Sequence, residues 1–120
     1  TNLVSNSGVV ATDVSAVGTA RYGAEACSYG GDKGIFAYGD TGSKVSMSNL
    51  VSNVGVVASD VTGVGTARAY LAATQYGGDK GIFGYGGEGV SNLVSNVGVV
   101  ATDVTGVGTG RSYLAACSFN

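Results

Sequence analysis

The 120-residue sequence contains no histidine, no proline and no tryptophan, and only 12% of its residues are charged. Without histidine, a Ser-His-Asp arrangement cannot be built. The only glutamates, Glu25 and Glu88, lie in different sequence contexts and do not form a matched pair of catalytic carboxylates. Two cysteines and no histidine do not provide a tetrahedral zinc site. We therefore predict that the chain is not an enzyme and uses no metal ion or cofactor.

Clusters of positive charge and long apolar runs are also absent. Six Lys and Arg residues are spread through a chain of net charge −2, whereas a nucleic-acid-binding surface needs a basic patch. No apolar run approaches the roughly 20 residues that a membrane-spanning helix requires. The sequence thus predicts neither a nucleic-acid partner nor a membrane span.

What the sequence does contain is a repeat. The segment Asn-Leu-Val-Ser-Asn begins at Asn2, Asn49 and Asn92, at spacings of 47 and 43 residues. Each time it is followed by Gly-Val-Val-Ala, an Asp and Val-Gly-Thr-(Ala/Gly)-Arg. Such periodicity is typical of repeat proteins, whose units bury apolar surface only against their neighbours. We predict one repeat domain over residues 1–120, with units at approximately 1–47, 48–90 and an incomplete 91–120.

Each complete unit contains four short runs that are rich in Val, Ile, Thr, Tyr and Phe, which favour strands. In the middle copy these runs are residues 49–53, 54–61, 68–76 and 80–86. The glycines and Asp between the last two runs predict a tight hairpin. The alanine-rich residues 67–74 have good helix propensity but are too short for a stable helix. The predicted fold class is all-β, with tandem four-stranded antiparallel repeats whose sheets are covered on both faces.

Two stretches of the middle copy carry a family resemblance. They read Thr-Ala-Arg-Ala-Tyr-Leu-Ala-Ala at residues 66–73 and Gly-Asp-Lys-Gly-Ile-Phe-Gly-Tyr-Gly-Gly at residues 78–87. An Arg-led strand, a turn and an apolar strand that ends in a Gly pair resemble the kelch pattern. The sequence is most similar to the kelch-like repeats of marine bacteriophage virion and tail-fibre proteins. The resemblance implies kelch-like β-propeller blades, about three units with the last incomplete, in a virion or extracellular location.

The same resemblance implies a non-enzymatic, structural or adhesive module of a virion fibre or extracellular filament. Two alternatives stay open: a carbohydrate-binding, lectin-like propeller, and an engineered or truncated propeller fragment that assembles from several chains. Tyr22, Tyr70 and Tyr113 follow the repeated Arg within two residues and are the candidate ligand-facing side chains. Aromatic rings at propeller loops stack on sugars, while ordinary amphipathic packing is the other interpretation.

In every copy an Asp precedes an Arg by eight residues. The pairs are Asp13 and Arg21, Asp60 and Arg68, and Asp103 and Arg111. A residue that every copy requires is best explained by the packing of the repeat itself. We predict that the Arg donates to a carboxylate or to strand-end carbonyls, and that the Asp caps the turn that follows it. A repeated ligand-binding rim is the alternative.

Cys27 and Cys117 occupy the same position in the first and third copies. A disulfide requires Cα atoms within about 7 Å, and units two repeats apart are further apart than that. We therefore predict buried free thiols. A bridge between two chains is the alternative.

The third copy lacks a counterpart of the apolar run at residues 80–86, and neither Leu3-Val4 nor Leu114-Ala115-Ala116 resembles a polar capping repeat. Open sheet edges invite pairing. We expect self-association into a ring or filament, or a continuation of the same chain that supplies the contacts.

Overall fold

The computed structural model describes residues 1–119 and contains six β-strands. They are β1 (Glu25–Tyr29), β2 (Lys33–Ala37), β3 (Ser48–Val51), β4 (Ala72–Tyr76), β5 (Lys80–Gly84) and β6 (Ser91–Val94). None of residues 1–119 is helical, so the predicted all-β class is confirmed. It follows that no apolar helix of bilayer-spanning length occurs in this part of the chain.

The strands form two three-stranded antiparallel sheets with the same topology. The strand orders are β1-β2-β3 and β4-β5-β6. The registers are also equivalent, since Ile35 pairs with Cys27 and Leu50, and Ile82 pairs with Thr74 and Leu93. Each sheet combines the hairpin of one sequence unit with the first strand of the next. The structural unit is therefore offset along the chain from the sequence units.

The predicted hairpins are present at both Gly-Gly-Asp turns. Gly30 and Gly31 have φ angles of 61° and 80° between β1 and β2, and Gly77 and Gly78 have φ angles of 61° and 84° between β4 and β5. Glycine adopts this left-handed conformation without a Cβ clash, which explains its presence at all four positions.

The predicted fourth run, residues 54–61, does not form a strand. After a turn at Gly55 (φ 80°), the chain returns along β3 and pairs only at Val51–Val57 and Ser48–Val61. Residues 97–104 return along β6 in the same way. Each sheet thus has three strands and a loosely paired return segment.

The predicted strand at residues 68–76 begins only at Ala72. Tyr70 has a φ of 58°, which breaks the extended backbone before that point. The strand prediction is therefore correct only for the second half of this run.

The two sheets pack face to face around one apolar core. Phe83 of β5 is fully buried, and its ring lies 5.5 Å from the Tyr38 ring, measured between centroids. The other fully or nearly fully buried core residues are Tyr29, Ile35, Ala37, Leu71 and Val94. A Cβ atom at Gly81 would lie 2.6 Å from the Cys27 sulfur, so the close approach of the sheets requires glycine there.

Candidate functional site

Asp60 and Asp103 each accept hydrogen bonds from a Thr that precedes a sheet and from an Asn in the third strand of that sheet. The Asp60 carboxylate accepts from the backbone N–H of Thr19 at 3.0 Å, from its hydroxyl at 2.7 Å and from the Asn49 side-chain amide at 2.8 Å. Asp103 makes the same contacts with Thr66 at 3.0 and 2.7 Å and with Asn92 at 2.9 Å. We call each such set of Thr, Arg, Asn and Asp a junction.

The Arg of each junction donates to the side-chain oxygen of the Asn whose amide group donates to the Asp. Arg21 donates through Nη2 to Asn49 Oδ1 at 2.6 Å and through Nε to the Tyr38 carbonyl at 2.7 Å. Its Nη1 lies 3.9 Å from Asp60 Oδ1. The nearby carboxylate therefore comes from the next copy, 39 residues on, and not from the Asp eight residues before the Arg. Donation to a strand-end carbonyl is as predicted.

Arg68 of the second junction has no solvent exposure. It donates to the Thr66 carbonyl at 3.1 Å and to Asn92 Oδ1 at 2.5 Å. Its guanidinium carbon lies 4.0 Å from the centroid of the Tyr38 ring, within the range of a cation–π interaction. A buried cation is costly unless it is paired and hydrogen-bonded. Here the Tyr38 ring and the oxygens of Thr66 and Asn92 contact the guanidinium, whereas its buried Nε has no hydrogen-bond partner within residues 1–119.

Within residues 1–119, neither Asp13 nor Arg111 belongs to a complete junction. Asp13 accepts one side-chain hydrogen bond, from Asn2 at 2.8 Å. Arg111 is exposed and donates to the Thr109 carbonyl at 3.2 Å, with its guanidinium carbon 3.9 Å from the Tyr85 ring centroid. These two residues thus present the same chemical groups as the internal junctions without the same partners.

The junction carboxylates Asp60 and Asp103 are ionised at neutral pH. Hydrogen bonds from the Thr19 hydroxyl and the Asn49 amide hold the pKa of Asp60 below its usual value, and those from Thr66 and Asn92 do the same to the pKa of Asp103. Burial lowers the pKa of Arg21, and the nearby Asp60 charge opposes that effect. The lowered pKa values of Asp60 and Asp103 favour the charged form of both carboxylates.

The three candidate ligand-facing tyrosines form a column along the stack. The Tyr70 ring lies 6.3 Å from Tyr22 and 4.5 Å from Tyr113, measured between centroids. The Tyr113 N–H donates to the Tyr70 carbonyl at 2.9 Å, which ties successive units at this edge. The outer rings are more open, since Tyr22 and Tyr113 are 56% and 79% exposed. The Asp40 charge raises the pKa of Tyr22.

Both cysteines are free thiols, as predicted. Cys27 is half-buried beneath the second sheet, and this burial raises its pKa to about 11. Cys117 is exposed, so the prediction that both thiols are buried is wrong for this residue. The reason is that no strand within residues 1–119 covers Cys117 as β5 covers Cys27. The interchain bridge stays a prediction.

The residue type that the sequence interpretation missed is the junction Asn. Asn49 and Asn92 are both fully buried and link the Arg to the Asp. Each is the first Asn of the repeated Asn-Leu-Val-Ser-Asn segment, a polar residue beside an apolar pair in a short strand. A buried polar side chain requires hydrogen-bond partners, so its repetition was a usable signal.

No protein-family model matches the chain, and no curated protein is significantly similar to it.

Proposed function

We propose that this protein is a non-enzymatic structural or adhesive module of a virion fibre or extracellular filament, built from kelch-like repeats. The proposal rests on the hydrogen bonds that the repeated polar residues make with one another. The Asp, Arg, Asn and Thr that recur in the internal copies hydrogen-bond to one another across each sheet, as at Asp60 and Asp103. Their chemistry is directed at cohesion between units.

The same proposal includes four-stranded, propeller-like blades. In support of it, the return segments at residues 57–61 and 100–104 lie beside β3 and β6, where a fourth strand would lie. Two bridges attach each return segment to its sheet. Regular pairing along the whole segment would complete the blade.

Two junction halves lack complete partner sets within residues 1–119, which supports self-association or contact with a continuation of the same chain. Asn2 and Asp13 are bonded to each other as Asn49 and Asp60 are. At the other end, Thr109 and Arg111 repeat the donors that Thr19 and Arg21 direct at an Asn and an Asp. A second copy placed head to tail brings these complementary halves together. Such heterologous contacts generate a ring or a filament.

Sedimentation velocity over a concentration series, followed by electron microscopy, tests this proposal. We expect species heavier than the 11.7 kDa monomer. The Asp13→Arg variant should weaken assembly because it places two cations in one junction. Asp32→Arg is the matched control, since Asp32 lies on an exposed hairpin turn away from the junctions. A stable folded monomer at all concentrations, or equal effects of both variants, contradicts the proposal.

A carbohydrate-binding function is the second candidate, and the open outer faces of Tyr22 and Tyr113 are the observation that favours it. Sugars stack on aromatic faces that are free, whereas Tyr70 is flanked by both neighbours. Binding on a glycan array that is lost in Tyr113→Ala and kept in Tyr70→Ala supports this candidate. Absence of binding leaves the structural role.

A further inference from the structure

An open groove runs between the second sheet and the chain that follows it. Its walls are the face of β4 and β5 that points away from the first sheet, and the backbone near Arg111. The lining residues are Ala72, Thr74, Ile82, Gly84, Tyr85, Arg111, Leu114, Ala115 and Ala116. Its volume is about 210 Å³. A cavity of about 150 Å³ accommodates a benzene ring, so the groove has room for one aromatic side chain.

The equivalent space on the first sheet is filled. There the wall is formed by Ile35, Ala37 and Tyr38, which correspond to Ile82, Gly84 and Tyr85. The Phe83 ring fills this space, with no solvent exposure and 5.5 Å from Tyr38. Phe83 is supplied by β5, which is held in place by its pairing with β4. Residues 115–117 correspond to the first residues of β4, but no strand within residues 1–119 pairs with them.

Arg111 provides a second indication of what the groove binds, because its guanidinium can donate hydrogen bonds to backbone carbonyl groups. Arg68 directs Nη2 at the carbonyl of Phe83 at 3.4 Å, and Arg21 directs Nε at the carbonyl of Tyr38 at 2.7 Å. Both carbonyls lie at or just beyond the end of the central strand of a sheet. Arg111 has the same position over the Tyr85 ring, but within residues 1–119 its one hydrogen-bond acceptor is the Thr109 carbonyl. By analogy with Arg68, its other donors are expected to serve the carbonyl groups near the end of a central strand.

We propose that this groove is an acceptor site for an extended β-strand that comes from outside residues 1–119 and has the pattern Gly-Ile-Phe-(Gly/Ala)-Tyr. The Phe side chain fills the cavity over Tyr85, and the backbone pairs with residues 115–118. Arg111 binds the carbonyl groups near the end of the strand. The bound strand is of the same chemical type as the central strands β2 and β5, and the proposal rests on the repeat module proposed above.

The observed register fixes which residues pair. In the second sheet Ala73 pairs with Phe83 and Thr74 pairs with Ile82. The corresponding positions of the next copy are Ala116 and Cys117. The bound strand therefore places its Phe opposite Ala116 and its Ile opposite Cys117, in antiparallel orientation. A register shift by one residue would direct the Phe away from the cavity.

Titration of the isotope-labelled chain with a synthetic peptide of residues 79–86 tests the site by nuclear magnetic resonance. We expect saturable shifts of the backbone signals of Ile82, Tyr85 and Ala115, without shifts at Ile35. Replacing Phe83 by Ala in the peptide should weaken binding at least about tenfold, since the lost burial of one aromatic ring exceeds the 1.4 kcal/mol that corresponds to this factor. Unchanged affinity of the Ala peptide, or shifts centred elsewhere, overturns the proposal.

Two variants of the chain distinguish specific peptide binding at this groove from nonspecific binding. Ala116→Arg places a bulky charge in the groove and should abolish peptide binding. Ala26→Arg is the matched control, because Ala26 is the exposed residue at the same repeat position of β1, and it should bind normally. Equal binding by both variants rejects the site. Assembly in sedimentation without peptide binding rejects the acceptor site alone, whereas peptide binding by a strictly monomeric chain rejects self-assembly alone.

Discussion

The face of the first sheet that packs on the second sheet, and the equivalent face of the second sheet, are built from similar side chains. Ile35 is 1% exposed and Tyr38 is completely buried, whereas Ile82 and Tyr85 are both half-buried. The same contrast separates the buried Arg68 from the exposed Arg111. Since the sequences match, the difference arises from the neighbouring unit. A repeat position acquires its structural role only when the next sheet covers it.

The largest effect is expected when the contact between the two sheets is removed. Phe83→Ala should lower the free energy of unfolding by about 3–5 kcal/mol, because a buried aromatic ring leaves a cavity in the core. Phe36→Ala is the matched control at the same strand position of the first sheet, where the ring is half-buried. It should cost about 1–2 kcal/mol, in line with partial burial. Urea unfolding of both variants measures the difference, and equal losses would show that the sheets do not stack as described.

A smaller but still distinct effect is expected at the junction Arg. Arg68→Ala should lower the free energy of unfolding by about 1–3 kcal/mol, because it leaves Asn92 and the Thr66 carbonyl without a donor. Arg111→Ala should change it by less than about 0.5 kcal/mol, as is usual for exposed positions. Thermal unfolding at neutral pH compares the two. A large loss in Arg111→Ala would mean that this Arg is already enclosed in solution.

The smallest expected effect is the acid dependence of the junction carboxylates. Asp60 and Asp103 have lowered pKa values in the folded state, whereas an unfolded Asp titrates near about 3.9. Their contribution to stability is therefore complete above that pH and is lost as the pH falls through the folded-state values. The Asp60→Asn, Asp103→Asn double variant should show a weaker fall of the melting temperature between neutral and acid pH. Asp32 and Asp79 also have lowered pKa values and retain part of the dependence in that variant. An acid dependence identical to that of the natural chain would exclude the junction carboxylates as its source.

The local elements could be predicted from the sequence because they depend on local signals. The Gly-Gly-Asp turns and the apolar runs at residues 33–37 and 80–84 indicate hairpins directly. The return segment at residues 54–61 was overpredicted because its valines favour strands, although Gly55 and the bond from the Val56 N–H to the Ser52 hydroxyl make a turn.

The junctions were harder to predict because their partners lie far apart in sequence. Arg21 approaches Asp60, 39 residues away, while the constant eight-residue spacing drew attention to Asp13. Periodicity shows which residues recur, but it does not show which copies contribute the residues that contact one another. The solvent exposure of Cys117 likewise depends on whether a further sheet covers it. The sequence around Cys117 does not contain that information.

The most direct test of the claim that each sheet shields the one before it uses the two natural cysteines, which share one repeat position. We expect iodoacetamide at pH 8 to modify Cys117 readily. Cys27, with a pKa of about 11, should react roughly a hundredfold more slowly than an ordinary thiol, because the thiolate is the reacting form. Mass spectrometry of digested samples, taken over time with and without denaturant, resolves the two sites. Slow modification of Cys27 that becomes as fast as that of Cys117 in denaturant is the predicted result. Equal rates at both cysteines in the native protein would contradict the stacked arrangement.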